Sequence, residues 1–242
     1  MESFLERTKD ADLNQLVDEL ASRGRGNRRK SIRLRAWKAT VWFSYAAKRT
    51  IDIFGSLFGM VVLSPVFLTI AAAVKFTSPG PIIFSQVRVG RYGRHFKFYK
   101  FRSMRVDAEA QKAALLAKNE SKDGVIFKMK EDPRITKVGK FIRRASLDEL
   151  PQLWNVFIGD MSLVGPRPPV PSEVAEYTLE DRKRLDVIPG ITCLWQINGR
   201  SEIPFNEQVR LDKEYIQEPS LWKDVMILLK TIPAILGGKG AY

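Results

Sequence analysis

Two adjacent carboxylates, Asp148 and Glu149, sit in the run Ser146-Leu147-Asp148-Glu149-Leu150-Pro151-Gln152-Leu153, just after the basic residues Lys137, Lys140, Arg143 and Arg144. These residue types suit phosphate chemistry. Carboxylates take Mg2+, while arginines and the amide donors at a helix start take phosphate oxygens. Ser146 and Glu149 also have the spacing of a capping box, which would make both acids ordinary helix-start residues. Pro151 opposes that reading, because with Ser146 as N-cap it falls where an intrahelical amide donor is required. The helix is therefore expected to begin at Asp148 or Glu149, with both acids at its N-terminus.

The elements that must hold these acids can be read around them. Residues 81–89 and 95–101 are strand-like and flank Gly90-Arg91-Tyr92-Gly93-Arg94, which predicts a β-hairpin with a glycine turn. Residues 107–118 have helical composition, and Asp132-Pro133 and Val138-Gly139 punctuate a connector. A helix is expected from about Leu150 into Phe157, stopped by Gly159. Residues 161–171, with Gly165, Pro166, Pro168, Pro169 and Pro171, are expected to form an irregular loop. Residues 221–236 are apolar but interrupted by Lys223, Asp224, Lys230 and Pro233, which suits a helix lying on a membrane surface.

Ahead of this basic body, residues 53–74 carry no charge. As one helix they would span about 33 Å at ~1.5 Å per residue, near the ~30 Å thickness of bilayer hydrocarbon. A buried core helix is the competing reading. Basic residues flank the segment on both sides, with Lys48 and Arg49 before it and Lys75, Arg88, Arg91, Arg94, Lys97 and Lys100 after it. Positive flanks favour the cytoplasm, so both ends are drawn to the same side. Ser64-Pro65 lies at the middle, where proline removes a backbone donor and the serine hydroxyl can bond a freed carbonyl. Together these features predict a re-entrant helix; a Pro-kinked crossing helix is the alternative.

The chain has 242 residues, a net charge of +13 and 45% hydrophobic residues. That excludes a disordered tail and implies an acidic partner. Arg23, Arg25, Arg28, Arg29, Lys30, Arg33, Arg35 and Lys38 crowd one arm beside Trp37, Trp42, Phe43 and Tyr45, a mixture suited to anionic lipid headgroups. Nucleic acid would also suit such an arm, but no recognition motif is present and the arm adjoins the apolar segment. The lone His95 and lone Cys193 argue against a structural zinc site and an internal disulfide.

Several ordered motifs together carry a family resemblance. These are Lys48-Arg49 with Asp52, Ser64-Pro65, Lys100-Phe101-Arg102-Ser103-Met104, Asp132-Pro133-Arg134 and residues 146–153. Further along come Gly159-Asp160-Met161-Ser162, Gly165-Pro166-Arg167-Pro168, Pro189-Gly190-Ile191-Thr192 and Asn198-Gly199-Arg200. Over residues 48–236 the chain resembles the monotopic phosphoglycosyl transferases, the bacterial sugar transferase family.

The resemblance implies an α+β, mainly helical fold: a re-entrant membrane helix, interfacial amphipathic helices and a small cytoplasmic catalytic domain containing a β-hairpin. The expected divisions are a basic extension over 1–47, a membrane helix over 48–76 and a catalytic domain over 77–242. Residence at the bacterial inner membrane, Mg2+, a UDP-sugar donor and a polyprenyl phosphate acceptor, usually undecaprenyl phosphate, are implied with it. So is a covalent aspartyl phosphosugar. Carried residue by residue, it makes Asp148 the nucleophile and metal ligand and Glu149 its acidic partner. Lys100, Arg143 and Arg167 become phosphate contacts, Arg200 and Asp212 further substrate-binding residues, and Ser64 and Pro65 the re-entrance motif. Cys193 stands where family members often have glycine, which puts the local loop geometry in question. Leu13, Leu16, Val17 and Leu20 have helical spacing in an extension suited to contact or regulation; a homo-oligomer is a separate, open reading.

Simpler readings accompany three of these residues. Arg167 could be a loop arginine between prolines, Lys100 the surface end of a strand's core face, and Asp212 the partner of a neighbouring lysine. As whole-protein alternatives, a membrane-anchored nucleic-acid-binding module accounts for the charge and a noncatalytic scaffold for the apolar segments. Neither accounts for a carboxylate pair set beside arginines.

Overall fold

The computed structural model describes residues 28–115, 119–120, 129 and 131–237. Arg23, Arg25 and the expected helix through Leu13 and Leu20 lie outside the described residues. The chain divides into two compact units, Met1–Lys48 and Arg49–Tyr242. The described part of the first is helical and opens α1 (Arg28–Val62); all that follows concerns the second.

The uncharged segment is not one straight helix. After α1, Leu63 breaks the path and α2 (Ser64–Thr77) leaves at a bend of 62°. Pro65 lies in the first turn of α2, where a missing N–H is tolerated, but that same lack leaves the carbonyl four residues back without its helical donor. The Ser64 hydroxyl forms no hydrogen bond to a freed carbonyl among the described residues. Instead Thr69 Oγ1 donates to the carbonyl of Pro65 at 2.8 Å, a back-bond of the kind that bends helices. No single described helix is long and apolar enough to cross a membrane, whereas the bent pair together has the length and composition for it. Its outer faces stay apolar: Phe54, Phe58, Val61, Leu68 and Phe76 are exposed.

The hairpin forms as the alternation and glycines require. β1 (Ile83–Val89) pairs antiparallel with β2 (His95–Phe101), and Tyr92 and Gly93 take positive φ in the connecting turn. α3 (Ala108–Leu115) falls inside the expected helix, and α4 (Lys137–Arg144) is capped by Thr136, whose hydroxyl accepts the Gly139 amide at 2.9 Å. Ile70 and Val74 of α2, Phe101 of β2 and Ile142 of α4 share one apolar cluster, which seats the bent pair on the hairpin.

Next come a 3-10 turn at Leu147–Glu149 and α5 (Gln152–Ile158). Gly159, at φ 98°, ends α5 as expected, its amide donating to the Asn155 and Val156 carbonyls at 3.1 Å. The segment after it is not wholly irregular. β3 (Ser162–Val164) interrupts it and pairs parallel with β4 (Gly190–Thr192). Between these strands lie α6 (Pro171–Ala175) and α7 (Leu179–Arg182), and after them α8 (Leu194–Asn198), α9 (Phe205–Gln217) and α10 (Leu221–Gly237). The described fold is thus mostly helical with two small two-stranded sheets.

In α10, Asp224 and Ile227 are buried while Trp222, Leu229 and Ile232 are exposed, so one apolar edge packs inward and another stays uncovered. Cys193 is buried with φ −153° and ψ 173°, an extended backbone that any residue adopts; it replaces glycine there without strain.

Candidate active site

Asp148 and Glu149 sit on the 3-10 turn, one step ahead of α5, rather than in the first turn of an α-helix. Ser146 has φ 54° and makes no capping bond, so the capping box does not form. The left-handed backbone at Ser146 reverses the chain after α4 and turns both acids toward β2. There, Lys100 Nζ donates to Glu149 Oε1 at 2.7 Å and lies 3.8 Å from Asp148 Oδ2. Arg167 reaches the same Glu149 oxygen at 3.0 Å. Lys100, the adjacent pair Asp148 and Glu149, and Arg167, three separate places in the sequence, thus form one charged cluster.

That cluster is held from outside it. Asn155, fully buried on α5, donates from Nδ2 to the Lys97 carbonyl at 2.7 Å and accepts the Tyr99 amide at 3.1 Å, so a side-chain amide docks α5 along β2. Arg49 on α1 donates to the last carbonyls of α5, Val156 at 2.6 Å and Phe157 at 2.7 Å, where a cation meets the negative end of the helix. Asp52 accepts the Leu163 amide at 2.8 Å and the Ser162 hydroxyl at 3.0 Å, fixing β3. The proline-rich loop is held by β1: Val89 N–H donates to the Pro169 carbonyl at 2.9 Å and Arg88 to the Pro168 carbonyl at 3.0 Å. The sequence did not point to Asn155, and it marked Arg88 only as a basic residue flanking the apolar segment. An amide in mid-helix and an arginine flanked by strand valines were the only signals of these roles.

The two acids are electrostatically unlike. Burial opposes ionisation of Glu149, but Lys100 and Arg167 outweigh it and hold this carboxyl well below the usual range. Burial pushes Asp148 up, and the negative Glu149 beside it adds to that against the pull of Lys100. Burial, with Arg167 nearby, lowers Lys100. Glu149 therefore serves as an anchor for two cations, while Asp148 keeps its oxygens largely uncommitted.

Arg143, on the last turn of α4, acts on Asp148 through its charge. Lys140 points elsewhere and lies 3.8 Å from Glu131. Arg200, with φ 55°, donates to Ser146 Oγ at 3.0 Å, joining two strained backbone positions at the rim of the cluster; its other terminal nitrogen, NH1, is buried without a partner. Asp212 is not brought to the acids by any direct bond. It lies buried on α9 and pairs with Arg184, which also donates to the Tyr177 hydroxyl at 3.0 Å, so the simpler reading of a neighbouring lysine as its partner does not hold. Burial raises Asp212 to about 6 against the pull of Arg184, and its Oδ1 has no hydrogen-bond partner. Ser64 and Pro65 lie at the helix bend, remote from the acids in role as in sequence.

Among the described residues no three His, Cys, Asp or Glu side chains group to cage a metal. Mg2+ is commonly bound by one or two carboxylates together with substrate phosphates, and the Asp148 carboxylate, with its oxygens largely uncommitted, would be the group to hold such an ion here.

A mainly helical body that clusters carboxylates and cations beside a bent apolar helix pair agrees with the family comparison. Residues 43–238 match the model of the bacterial sugar transferase family, and the chain belongs to that family. It is 52% identical over 196 residues to the galactosyl transferase CpsE of Streptococcus agalactiae serotype III, covering 81% of this chain and 43% of that one. It is 44% identical over 201 residues to the undecaprenyl-phosphate galactose phosphotransferase of Salmonella typhimurium, covering 81% and 41%. The exopolysaccharide production protein ExoY of Sinorhizobium fredii is 40% identical over 201 residues, and there the match covers 88% of the relative. The chain thus spans less than half of the first two relatives and most of the third.

Proposed function

We propose that this protein transfers a sugar 1-phosphate from a UDP-sugar to a polyprenyl phosphate such as undecaprenyl phosphate, releasing UMP. This would be the first membrane step in assembling an exopolysaccharide, O-antigen or glycoconjugate. One observation carries the reading: of two adjacent acids, the half-buried Glu149 is clamped by Lys100 and Arg167 while the buried Asp148 is left to react. The family and the names of the relatives agree with it.

In the first half-reaction an Asp148 oxygen attacks the phosphorus that carries the sugar. A new O–P bond forms, the bridging P–O bond breaks, and UMP leaves with that electron pair. In the second, a phosphate oxygen of the acceptor attacks the same phosphorus and expels the Asp148 carboxylate. A carboxylate is a weak nucleophile and repels a diphosphate, so positive charge must be in place first. Lys100, Arg167, Arg143 and Arg200 supply it, and Glu149 holds the first two at the right height. Mg2+, when bound with the donor at Asp148, further neutralises the phosphates. The test is a panel of UDP-sugars with purified protein and Mg2+: UMP should appear without acceptor, and the kinetics should be ping-pong. UMP release that strictly requires the acceptor would replace this scheme with direct transfer.

The nucleophile must be ionised, so a raised Asp148 predicts a pH limb. UMP release should fall on the acid side at a pH above the ordinary aspartate range of about 4. Glu149→Gln removes the negative neighbour that helps raise Asp148, so the limb should move to lower pH. The plateau rate should drop by about 10- to 100-fold, because Lys100 and Arg167 lose their anchor. A limb that stays in place would show that Glu149 does not set the ionisation of Asp148.

The same reading places the bent helix pair in the bilayer as a re-entrant element, with both flanks and the catalytic body on the cytoplasmic face and the basic arm on anionic headgroups. Single cysteines placed before Lys48 and after Lys75, in a background lacking Cys193, should both be protected from an impermeant thiol reagent in intact cells. Pro65→Ala should expose one of them in part of the population by favouring a straight crossing helix.

A further inference from the structure

A groove of about 120 Å3 opens beside the acid cluster and runs between α5 and α10. Its walls are Leu150, Leu153, Ile191, Ala234 and Ile235, and its polar mouth is formed by Glu149, Gln196 and Arg200. From this geometry we infer that the groove receives the first, phosphate-proximal part of the acceptor's hydrocarbon chain. The inference rests on the acceptor reading above and gives that lipid a definite place.

Three features separate a hydrocarbon from a sugar or nucleoside as the occupant. First, the hydroxyls deeper in the groove are already committed. Thr192 and Thr231 hydrogen-bond each other at 2.8 Å, and Thr231 donates to the Ile227 carbonyl at 2.7 Å. A sugar hydroxyl buried there would lose water and gain no partner, whereas a hydrocarbon loses nothing. Second, polarity runs in one direction. At the mouth, the buried and unpartnered Arg200 NH1 suits a phosphate, and the Gln196 side chain is held by the Cys193 thiol at 3.1 Å. Amphiphile and groove match end for end.

Third, the two helices that flank the groove also carry uncovered apolar surface: Trp154 and Ile158 on α5, and Leu229 and Ile232 on α10, are exposed. Leu153 forms one wall and also packs against Gly59 of α1, where an added Cβ would meet its Cδ1 at 3.2 Å. The groove is well below the ~300–1,000 Å3 of a small-molecule pocket, so it holds the head of a long chain and leaves the rest outside.

Two measurements test this. Ala234→Phe should fill the groove, raising the KM for a long-chain polyprenyl phosphate at least tenfold while KM for the UDP-sugar stays within twofold. UMP release without acceptor should continue at the parent rate. Equal increases in both KM values, or no change in either, would overturn the assignment. The second measurement needs no variant: a polyprenyl phosphate with a diazirine near its phosphate should crosslink the unaltered protein in peptides from α5 or α10. Crosslinks confined to other segments would sink the proposal, as would labelling of those peptides by a phosphatidylglycerol diazirine that polyprenyl phosphate does not displace. Failure of the transferase reading looks different, because the parent would then release no UMP from any donor while the crosslinks still reported on the groove.

Discussion

Asp148→Asn should lower UMP release and sugar transfer by at least about 10^3-fold, because in the proposed double displacement the amide cannot replace the attacking carboxylate. The loss should come without a loss of stability. Asp148 is buried and raised, so its folded form binds a proton at pH values where the unfolded chain has released it. Stability therefore falls as pH rises through that window, and at neutral pH the ionised group is a burden on the fold. A neutral amide removes the burden. Lys100 is not left alone either, since its closer partner is Glu149 at 2.7 Å. The expected result is an inactive protein whose thermal midpoint is equal to or above that of the parent, with no label retained from sugar-labelled donor. Normal turnover in this variant would overturn the double displacement. A lower midpoint would mean that Asp148 holds the fold together through contacts other than those described.

The second large effect is expected at Gly190→Ala. β3 and β4 run so close that a Cβ on Gly190 would collide with the Gly165 backbone, approaching the Gly165 carbonyl oxygen and the Val164 carbonyl carbon to 2.6 Å each. The same stretch is tied by the Gly190 amide to the Pro166 carbonyl at 2.9 Å and by the Gly165 amide to the Thr192 carbonyl at 3.0 Å. Backbone on both sides cannot move aside as a side chain tip would. The cost should reach the upper end of the ~1–3 kcal/mol typical of overpacking. At ~2–4 °C per kcal/mol for a unit of this size, that is a fall of about 6–12 °C in the thermal midpoint. Activity should fall further than the folded fraction, because Gly165 leads directly to Arg167. A variant with unchanged midpoint and activity would show that the two strands can separate freely.

Local signals in the sequence translated well into structure, and distant pairings did not. Gly90 and Gly93 placed the hairpin turn, Gly159 ended α5, and Pro65 marked the bend to within two residues of the break at Leu63. Each works through its own backbone. The acids were visible as a pair, but their placement at a helix start was off by one turn, since Ser146 adopts a left-handed conformation that no flanking residue announces. β3 and β4 are three residues each, too short to show alternation, and their parallel pairing joins segments whose proximity depends on everything between them. Lys100 meets Glu149 across 49 positions, and Arg184 meets Asp212 across 28. The resemblance put Lys100, Arg143, Arg167 and Arg200 on the same site, yet only the geometry separates direct partners of Glu149 from a charge acting at a distance. It also leaves Asp212 in a buried pair with Arg184.

Arg49 and Asp52 have one further consequence. Both belong to the helix that leads to the bend, and both are bonded directly into the catalytic body, one at the end of α5 and the other at β3. With the bent pair seated in a bilayer, the protein would work as a depth gauge: the distance from the reacting phosphorus to the hydrocarbon boundary would be set by stiff links rather than by a tether. Leaflet thickness would then act on the rate directly, because a membrane that lifts or sinks the bent helix carries the acid pair with it.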